Sequence, residues 1–391
     1  MAKLEDTFVF IRNGASIKQG EDDTGYPITR IETISDRVVN REKMGYAGIT
    51  DIEKYKDYVL QDGDILMSHI NSEIHLGKSA LYRKQGEEVI IHGMNLLCLR
   101  PNYELLDSAF VNYYFNSNAF IYQIPNITKK SVNQASFSVS ALKKLNIPTP
   151  SLETQRQIAA NLDKVTHAID LCNAILEKLD LLVKSRFVEM FGDPITNPKG
   201  WKMVDLGELT SVGSSKRIFE KEYVESGIPF YRTKEIVELS KGNPITTELF
   251  ISEKRYAEIK KQYGVPKKGD LLISAVGTIG VIWIVDGEND FYFKDGNLIQ
   301  VDGTNRFNSS YMKWLLEYLI AEYKKQMSAG TAYAALTISG LSKMQVYDVP
   351  IDLQQQFAAF VEQTDKSKSA VKQVLEKAET LKKALMQEYF G

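Results

Sequence analysis

Residues Leu152 to Phe191 read LETQRQIAANLDKVTHAIDLCNAILEKLDLLVKSRFVEMF and are the most informative segment of the chain. Its apolar residues recur in steps of four and three, at Ile158, Leu162, Val165, Ile169, Cys172, Leu176, Leu179 and Val183. That spacing is typical of a coiled-coil helix, which needs a partner to cover its apolar stripe. Ser151, a good N-cap residue after Pro150, and Gly192 before Pro194 predict a helix over about residues 152–190.

This stretch occurs twice in the chain. Residues 142–192 overlay residues 341–391 without a gap at a constant shift of 199, and both copies end on Phe-Gly. Within the overlay Gln155 meets Gln354 and Gln157 meets Gln356. Two unrelated helices rarely agree over such a length without an insertion, so we infer a duplicated unit.

The second copy predicts another helix after Pro350, with Asp352 as N-cap and Gln355 in the reciprocal capping position. Its apolar stripe is weaker, because Thr364 and Lys368 interrupt it. Polar residues in such a stripe either select the register of helix pairing or face water where the helices diverge. The sequence leaves both interpretations open.

A globular segment precedes each helix, and the two segments echo one another. Residues 63–68 read GDILMS and residues 269–274 read GDLLIS, which indicates a turn before a short buried strand. Residues 281–285 and 291–293 predict further strands, and residues 109–118 and 310–325 predict helices. The predicted fold class is therefore mixed α/β, with two globular domains of similar architecture.

The order globule, helix, globule, helix predicts the arrangement of the chain. If the ends of each globule lie close together, the first helix runs out to the second globule and the second helix returns. The two helices then form an antiparallel coiled coil in which each covers the stripe of the other. A duplicated sequence folded in this way has a pseudo-two-fold axis.

Composition restricts the possible function. The 391 residues are 43% hydrophobic and 25% charged, which predicts at least two folded domains. Only two cysteines and no run of about 18 apolar residues predict a cytoplasmic protein without a membrane segment. The net charge of -2 gives no basic footprint, so any nucleic-acid binding has to use local basic loops.

The chain resembles the specificity subunit of type I restriction–modification systems over essentially its whole length. Residues 145–158, LNIPTPSLETQRQI, resemble the family's entry into its conserved helix. Residues 191–201, FGDPITNPKGW, resemble its passage into the second recognition domain. The chain departs from the family's Glu-Gln pair, because Thr154 and Leu353 stand before Gln155 and Gln354.

The resemblance implies target recognition domain 1 at 1–150, a central conserved helix at 151–192, target recognition domain 2 at 193–349 and a C-terminal conserved helix at 350–391. It implies a non-catalytic subunit whose two domains each read half of a bipartite, asymmetric site in double-stranded DNA. The helices would set the gap between the halves and dock two methyltransferase subunits. Motor-nuclease subunits would complete the complex, with S-adenosylmethionine and ATP bound by the partners and no cofactor on this chain.

Candidate DNA-contacting residues follow from chemistry alone, because Arg, Lys, Asn and Gln read base edges and bind phosphates. The first globule offers Lys18, Arg30, Arg37, Arg41, Lys43, His69, Asn71, Lys78, Lys129, Lys130, Asn133 and Gln134. The second offers Lys216, Arg217, Arg232, Lys234, Lys294, Lys324, Lys325, Gln326 and Tyr333. Arg30 and Arg232 stand out because each follows a Gly-x-Pro turn at an equivalent place. Their alternative role is a structural salt bridge within the globule.

Other residues have ordinary structural interpretations. Phe137 either contacts DNA or closes a core, and Asn95 and Asn297 are expected in turns. His75, His92 and His167 have no carboxylate or second histidine at metal-binding spacing, so they are expected to be ordinary polar positions.

An enzyme is disfavoured because residues 197–200, NPKG, lack the aromatic residue of a methyltransferase tetrapeptide, and no Walker loop or hydrolase motif occurs. The near-neutral charge keeps one alternative open. This is a tandem scaffold that holds two protein partners and whose globules bind peptide or carbohydrate.

Overall fold

The computed structural model describes residues 1–18, 24–130, 134–327 and 335–391, apart from the side chains of residues 326 and 327. Two compact units divide the chain. The first unit comprises Met1–Ala174 with Lys372–Gly391, and the second comprises Ile175–Val371. Each unit therefore contains one globule and a part of both long helices.

The elements of the first globule and the helix that follows it are short except for the last. The strands are β1 (Ala2–Lys3), β2 (Phe8–Asn13), β3 (Ile65–Met67), β4 (Ile70–Asn71), β5 (Ser79–Leu81), β6 (Leu97–Pro101), β7 (Lys129–Lys130), β8 (Ala135–Ser136) and β9 (Asn146–Ile147). The α-helices are α1 (Leu4–Thr7), α2 (Ser108–Phe115), α3 (Asn118–Ile121), α4 (Val139–Leu142) and α5 (Leu152–Phe191). Short 3-10 helices occur at Ile31–Ile34, Arg41–Lys43, Glu53–Tyr58, Glu73–His75 and Ile124–Ile127.

The second globule has a similar series. Its strands are β10 (Met203–Asp205), β11 (Val212–Gly213), β12 (Tyr223–Val224), β13 (Ile228–Tyr231), β14 (Phe250–Ile251), β15 (Leu271–Ser274), β16 (Ile282–Ile284), β17 (Tyr292–Phe293), β18 (Leu298–Val301) and β19 (Gln345–Tyr347). Its helices are α6 (Leu206–Leu209), α7 (Thr233–Ser240), α8 (Glu253–Gln262), α9 (Ser309–Met327), α10 (Ile338–Ser342) and α11 (Ile351–Phe390), with a 3-10 turn at Glu220–Glu222.

The central sheets of the two globules have the same topology. The first has the order β2-β6-β3-β5 and the second the order β11-β18-β15-β16, and all their strand pairs are antiparallel. One face of each sheet packs against the helix that follows it in sequence, α2 or α9. The duplication inferred from the helices therefore extends to the globules, and the predicted mixed α/β class is confirmed.

Each globule begins and ends at one place. Strand β1 pairs with β9, so that Ala2 lies opposite Ile147 just before α5. Strand β10 pairs with β19 in the same way, with Met203 opposite Tyr347 before α11. The closeness of the globule ends, on which the predicted path of the chain depended, is thus present in both units.

The two long helices run antiparallel within each unit. In the second unit Asp180 pairs with Lys368 at 2.6 Å, while the rings of Phe187 and Phe357 lie 5.4 Å apart. In the first unit Asn161 Nδ2 donates to the Tyr389 hydroxyl at 3.1 Å. Each helix has 40 residues, a length of about 60 Å.

The interrupted stripe of α11 does not face water. Thr364 is buried and its hydroxyl donates to the Phe360 carbonyl at 2.9 Å. The side chain of Lys368 is only 17% exposed and reaches Asp180 on the opposite helix. This contact favours the interpretation in which polar residues select the register of pairing.

The predicted cap of the second helix is wrong. Helix α11 begins at Ile351, one residue before Asp352, and the amides of Leu353 and Gln354 donate to the Pro350 carbonyl at 3.1 and 3.3 Å. Asp352 lies inside the first turn, where its negative charge interacts favourably with the helix dipole but its side chain is not the N-cap. The predicted cap of the first helix is confirmed, since Ser151 Oγ accepts from the Thr154 amide at 3.2 Å.

The repeated Gly-Asp pair closes a turn before the central strand. Gly63 has a φ of +90° and Gly269 a φ of +91°, a region that favours glycine. The buried carboxylate of Asp64 accepts from the Gln61 amide at 2.8 Å, and Asp270 accepts from the Lys267 amide at the same distance. The motif is thus structural.

Candidate nucleic-acid interface

One end of each central sheet carries the loop that joins two of its antiparallel strands, residues 68–78 in the first unit and 275–281 in the second. In the first unit β2 and β3 end there while β5 and β6 begin, since Met67 lies opposite both Ser79 and Leu97. We call this end the loop edge. In the second unit β15 ends at its loop edge with Ser274 opposite Leu298, the first residue of β18.

A small sheet at the first loop edge gathers predicted residues that are far apart in sequence. Strand β8 pairs with both β4 and β7, so that Ala135 lies opposite Asn71 on one side and Lys130 on the other. Gln134 precedes Ala135, and Lys129 lies opposite Ser136. Asn71 and Lys130 therefore flank Ala135 on one face of the small sheet.

The electrostatics of this cluster are not uniform. Lys130 Nζ lies 2.6 Å from Glu73 Oε1, while Lys129 has no ion-pair partner within the part of the chain that is described. The 3-10 turn that carries Glu73 also exposes Ile74, which is 81% accessible. Lys78 ends the same loop, and Lys18 is exposed in the loop after β2.

His69 lies beneath this surface. It is 5% exposed, its ring packs against Phe137 with centroids 6.3 Å apart, and its Nδ1 has no hydrogen-bond partner in the described structure. Burial lowers the pKa of His69 to about 4, so the ring is neutral at physiological pH. Phe137 is itself buried and closes a core, which was the structural alternative for it.

The second unit gathers basic residues at the ends of two parallel strands. Strands β13 and β17 are parallel, so Arg232 and Lys294 follow them at the same edge. Arg217 pairs with Asp295 at 2.7 Å, beside Lys294, and Lys216 lies next to it with its ammonium 5.3 Å from the Tyr263 ring. Among the described residues this cluster lies at the second loop edge, because Asp295 comes three residues before Leu298, at which β18 begins.

Arg232 has the structural role left open by the sequence. Its amide donates to Glu235 Oε2 at 2.8 Å, and its guanidinium lies 3.2 Å from the buried Glu235 carboxylate. Lys234 also reaches Glu235, at 3.6 Å. Arg30 occupies the equivalent place before a helical turn, with its amide donating to Thr33 Oγ1 at 2.8 Å.

Several predicted residues have partners within their own unit. Arg41 donates twice to Glu88, at 2.8 and 2.6 Å, and this lowers the pKa of Glu88 to about 2. Lys43 pairs with Asp36 at 2.8 Å, and Arg37 donates to Asn116. In the second unit Lys325 pairs with Glu322, and Lys324 Nζ donates to the Ile279 carbonyl in the loop after β15 at 3.1 Å. Asn133, Tyr333 and the side chain of Gln326 lie outside the described residues.

Two further residues are distinguished by their burial, although no contact was predicted for them from the sequence. Gln155 and Gln354 are 0% and 2% exposed, although both are amides near the start of a long helix. In the sequence, these two residues are marked by their occupying the same position in the two copies of the repeat. Asn95 and Asn297 lie in turns, as predicted.

The two repeats match a known family. The model of the type I restriction modification DNA specificity domain matches residues 1–181 and again residues 198–380. The chain belongs to this family. The type I restriction enzyme MjaX specificity subunit of Methanocaldococcus jannaschii is 31% identical over 98% of this chain and 91% of its own length.

Solved structures of type I systems share the fold. The S subunit of a type I restriction-modification system from M. genitalium superposes with a TM-score of 0.61 at 16% identity, covering 100% of this chain and 95% of that one. A chain from a study of complex assembly and conformational transition in the type I R-M system gives 0.58 at 18% identity, with coverages of 100% and 96%.

This chain is accordingly a DNA sequence-specificity subunit of the type I restriction–modification family. The alternative of a scaffold for peptides or carbohydrate finds no support among the relatives. Among the described residues no helix is both long and apolar enough to cross a membrane. Nor do those residues bring three or more His, Cys, Asp or Glu side chains together as a metal site.

Proposed function

We propose that each unit reads one half of a bipartite, asymmetric DNA site through its loop edge, while the paired helices set the gap between the halves. The observation that carries this proposal is the contrast between scaffold and loops. The central sheets share one topology. The loops they release differ, with NSEIHLG at 71–77 where the second unit has GTIG at 277–280. Two domains that read different sequences need this combination.

The ion pairs at the loop edges support weak binding by the isolated chain. Glu73 offsets the charge of Lys130, and Asp295 offsets that of Arg217. Phosphate contacts dominate affinity for DNA, so partner subunits would supply much of the positive charge. A titration in which the chain alone bound DNA as tightly as its complex with methyltransferase subunits would contradict this.

The modified-base motif tests the assignment of the loop edges. We expect the chain, co-expressed with its methyltransferase partner in an unmodified host, to direct methylation to one bipartite motif. Replacing residues 71–77 should change one half of that motif and leave the other half intact. The matched control replaces residues 83–87, which follow β5 at the opposite end of the same sheet. A change in both halves, or in neither, would refute the assignment.

We further propose that the helices dock two methyltransferase subunits and that motor-nuclease subunits join this cytoplasmic complex. Catalysis, S-adenosylmethionine and ATP would then belong to the partners, and this chain would bind no cofactor. Support comes from apolar side chains that the helices expose: Leu181 and Leu182 are 62% and 49% exposed in the second unit, and Val374 and Leu381 are 55% and 49% exposed in the first. Exposed apolar side chains of this kind are typical of protein interfaces.

Charge substitution at these positions tests the docking surface. Leu181→Asp with Leu182→Asp should abolish co-purification of one methyltransferase subunit, because an unpaired charge would have to be buried. Asn173→Asp, at an exposed position nine residues before Leu182 and therefore on the opposite side of the helix from it, serves as the control. Unchanged stoichiometry in the leucine variant would move the docking surface elsewhere.

A further inference from the structure

Gln155 joins three segments of the first unit. Its Oε1 accepts from the Asp107 amide at 2.9 Å, and its Nε2 donates to the carbonyls of Leu105 and Pro150, each at 2.9 Å. Asp107 is the N-cap of α2, since its carboxylate accepts from the first amides of that helix. Pro150 belongs to the chain that enters α5. One buried amide therefore ties the globule, the entering chain and the long helix together.

Gln354 repeats this arrangement in the second unit. Its Oε1 accepts from the Asn308 amide at 2.8 Å, and its Nε2 donates to the Val349 carbonyl at 2.9 Å. Asn308 caps α9 through its side chain, which accepts from the Ser310 amide at 2.9 Å. Val349 lies in the chain that enters α11. Gln354 thus repeats two of the three contacts of Gln155, those to the capping residue of the next helix and to the entering chain.

The geometry distinguishes this contact from ordinary packing. An apolar side chain could fill the same space, but it would not fix a direction, because apolar contacts are non-directional. Hydrogen bonds to backbone groups on two sides of the amide restrict the angle at which the helix leaves the globule. Losing the amide also leaves partly buried backbone groups unpaired, which is unfavourable.

We propose that Gln155 and Gln354 are positioning residues for site recognition: each fixes the angle between its globule and its long helix and thereby the gap length that the subunit accepts. This inference rests on the proposed function, in which the helices set the gap. The glutamines touch no DNA in this role. They act through the direction of the helices.

The test compares buried glutamines with exposed ones in the same turn. Gln155→Leu and Gln354→Leu remove the hydrogen bonds between the side-chain amide and the globule. Gln157→Leu and Gln356→Leu are the controls, since both of these glutamines are exposed. Each full-length variant is co-expressed with its methyltransferase partner in an unmodified host. Sequencing of modified bases then counts the motif at its native gap and at gaps one base pair longer or shorter.

A second pair of variants separates positioning from loss of stability. Asp107→Ala and Asn308→Ala weaken the caps of α2 and α9, but they keep the backbone amides to which the glutamines bond. They should lower the melting temperature without altering the accepted gap. Where a leucine variant fails to accumulate, Gln155→Glu or Gln354→Glu provides the test, because Glu keeps the accepting oxygen and loses the donors.

We expect the preference for the native gap over its neighbours to fall about tenfold in the Gln155 and Gln354 variants and to stay unchanged in all controls. A gap that stays fixed in the Gln155 and Gln354 variants would overturn the inference while leaving the proposed function intact. Equal broadening in the cap variants would also overturn it, since general instability would then be the cause. A wild-type chain that directs no bipartite methylation would overturn the proposed function itself.

Discussion

The charge pair at the first loop edge allows a direct test of DNA contact. Glu73 holds Lys130 at 2.6 Å, beside Lys129 on the same short strand. Glu73→Gln removes the acidic partner and leaves the ammonium of Lys130 for a phosphate. Lys129→Ala removes a charge that has no acidic partner among the described residues. The two substitutions should therefore change DNA binding in opposite directions.

The expected magnitude follows from counterion release. Each neutralised phosphate contributes a slope of about -0.9 to the dependence of log K on log salt concentration. Glu73→Gln should steepen the slope by about 0.9, and Lys129→Ala should flatten it by about the same amount. Between 50 and 200 mM salt, one such contact corresponds to roughly a 3- to 4-fold difference in affinity.

The assay is a fluorescence anisotropy titration of the complex with its methyltransferase subunits on a duplex that carries the motif. Glu87→Gln is the matched control, because it makes the same charge change beside Lys84, at the opposite end of the same sheet. Its slope should equal that of the wild type. Equal slopes for the Glu73 and Glu87 variants would refute the placement of DNA at the loop edge.

Three further predictions concern stability. Arg100→Met should lower the free energy of unfolding by about 3–5 kcal/mol in chemical denaturation, because the buried Asp64 carboxylate loses two hydrogen bonds of 2.7 Å. A second substitution in the same chain, Asp64→Asn, removes the unpaired charge and should restore part of the loss. Burial lowers the pKa of His69 to about 4, so only the unfolded chain takes up this proton as the pH falls from about 6.5 towards 4. The free energy of unfolding of the wild type should therefore fall by about 2 kcal/mol between pH 7 and pH 5. The His69→Phe variant should not show this loss in chemical denaturation at the two pH values. Burial and the charge of Asp270 raise the pKa of Asp302, so the wild type loses stability as the pH rises through that pKa. At pH 7 the Asp302→Asn variant should therefore have a higher melting temperature than the wild type. In acid, where Asp302 is protonated, the two melting temperatures should be equal.

The helices were the most predictable part of the fold. The first was expected over about 152–190 and spans Leu152–Phe191, because a stripe of period 3.5 and strong end signals depend only on local sequence. The cap at Asp352 was wrong because Pro350 can precede a helix directly, and the helix began one residue earlier. End signals are reliable only to within a residue or two.

The candidate site was less predictable, because exposure and ion pairing depend on distant residues. Arg41 is predicted as a DNA contact from its residue type, and the sequence does not show that its guanidinium donates to Glu88, 47 positions away. The residues around β8 come together only through strand pairing between positions 70–71 and 129–136. Local sequence carries no information on such pairs.

The duplication, the fold class and the two long helices can be predicted from the amino-acid sequence, because a repeat and an apolar periodicity are visible without knowledge of tertiary contacts. Which basic residues lie together at a loop edge, and which form an ion pair with an acidic residue, depends on strand register and side-chain burial and is visible only in the folded chain. The folded chain also shows that Gln155 is buried against the globule, while Gln157, two residues later, faces solvent. That difference arises from which side of the helix meets the globule.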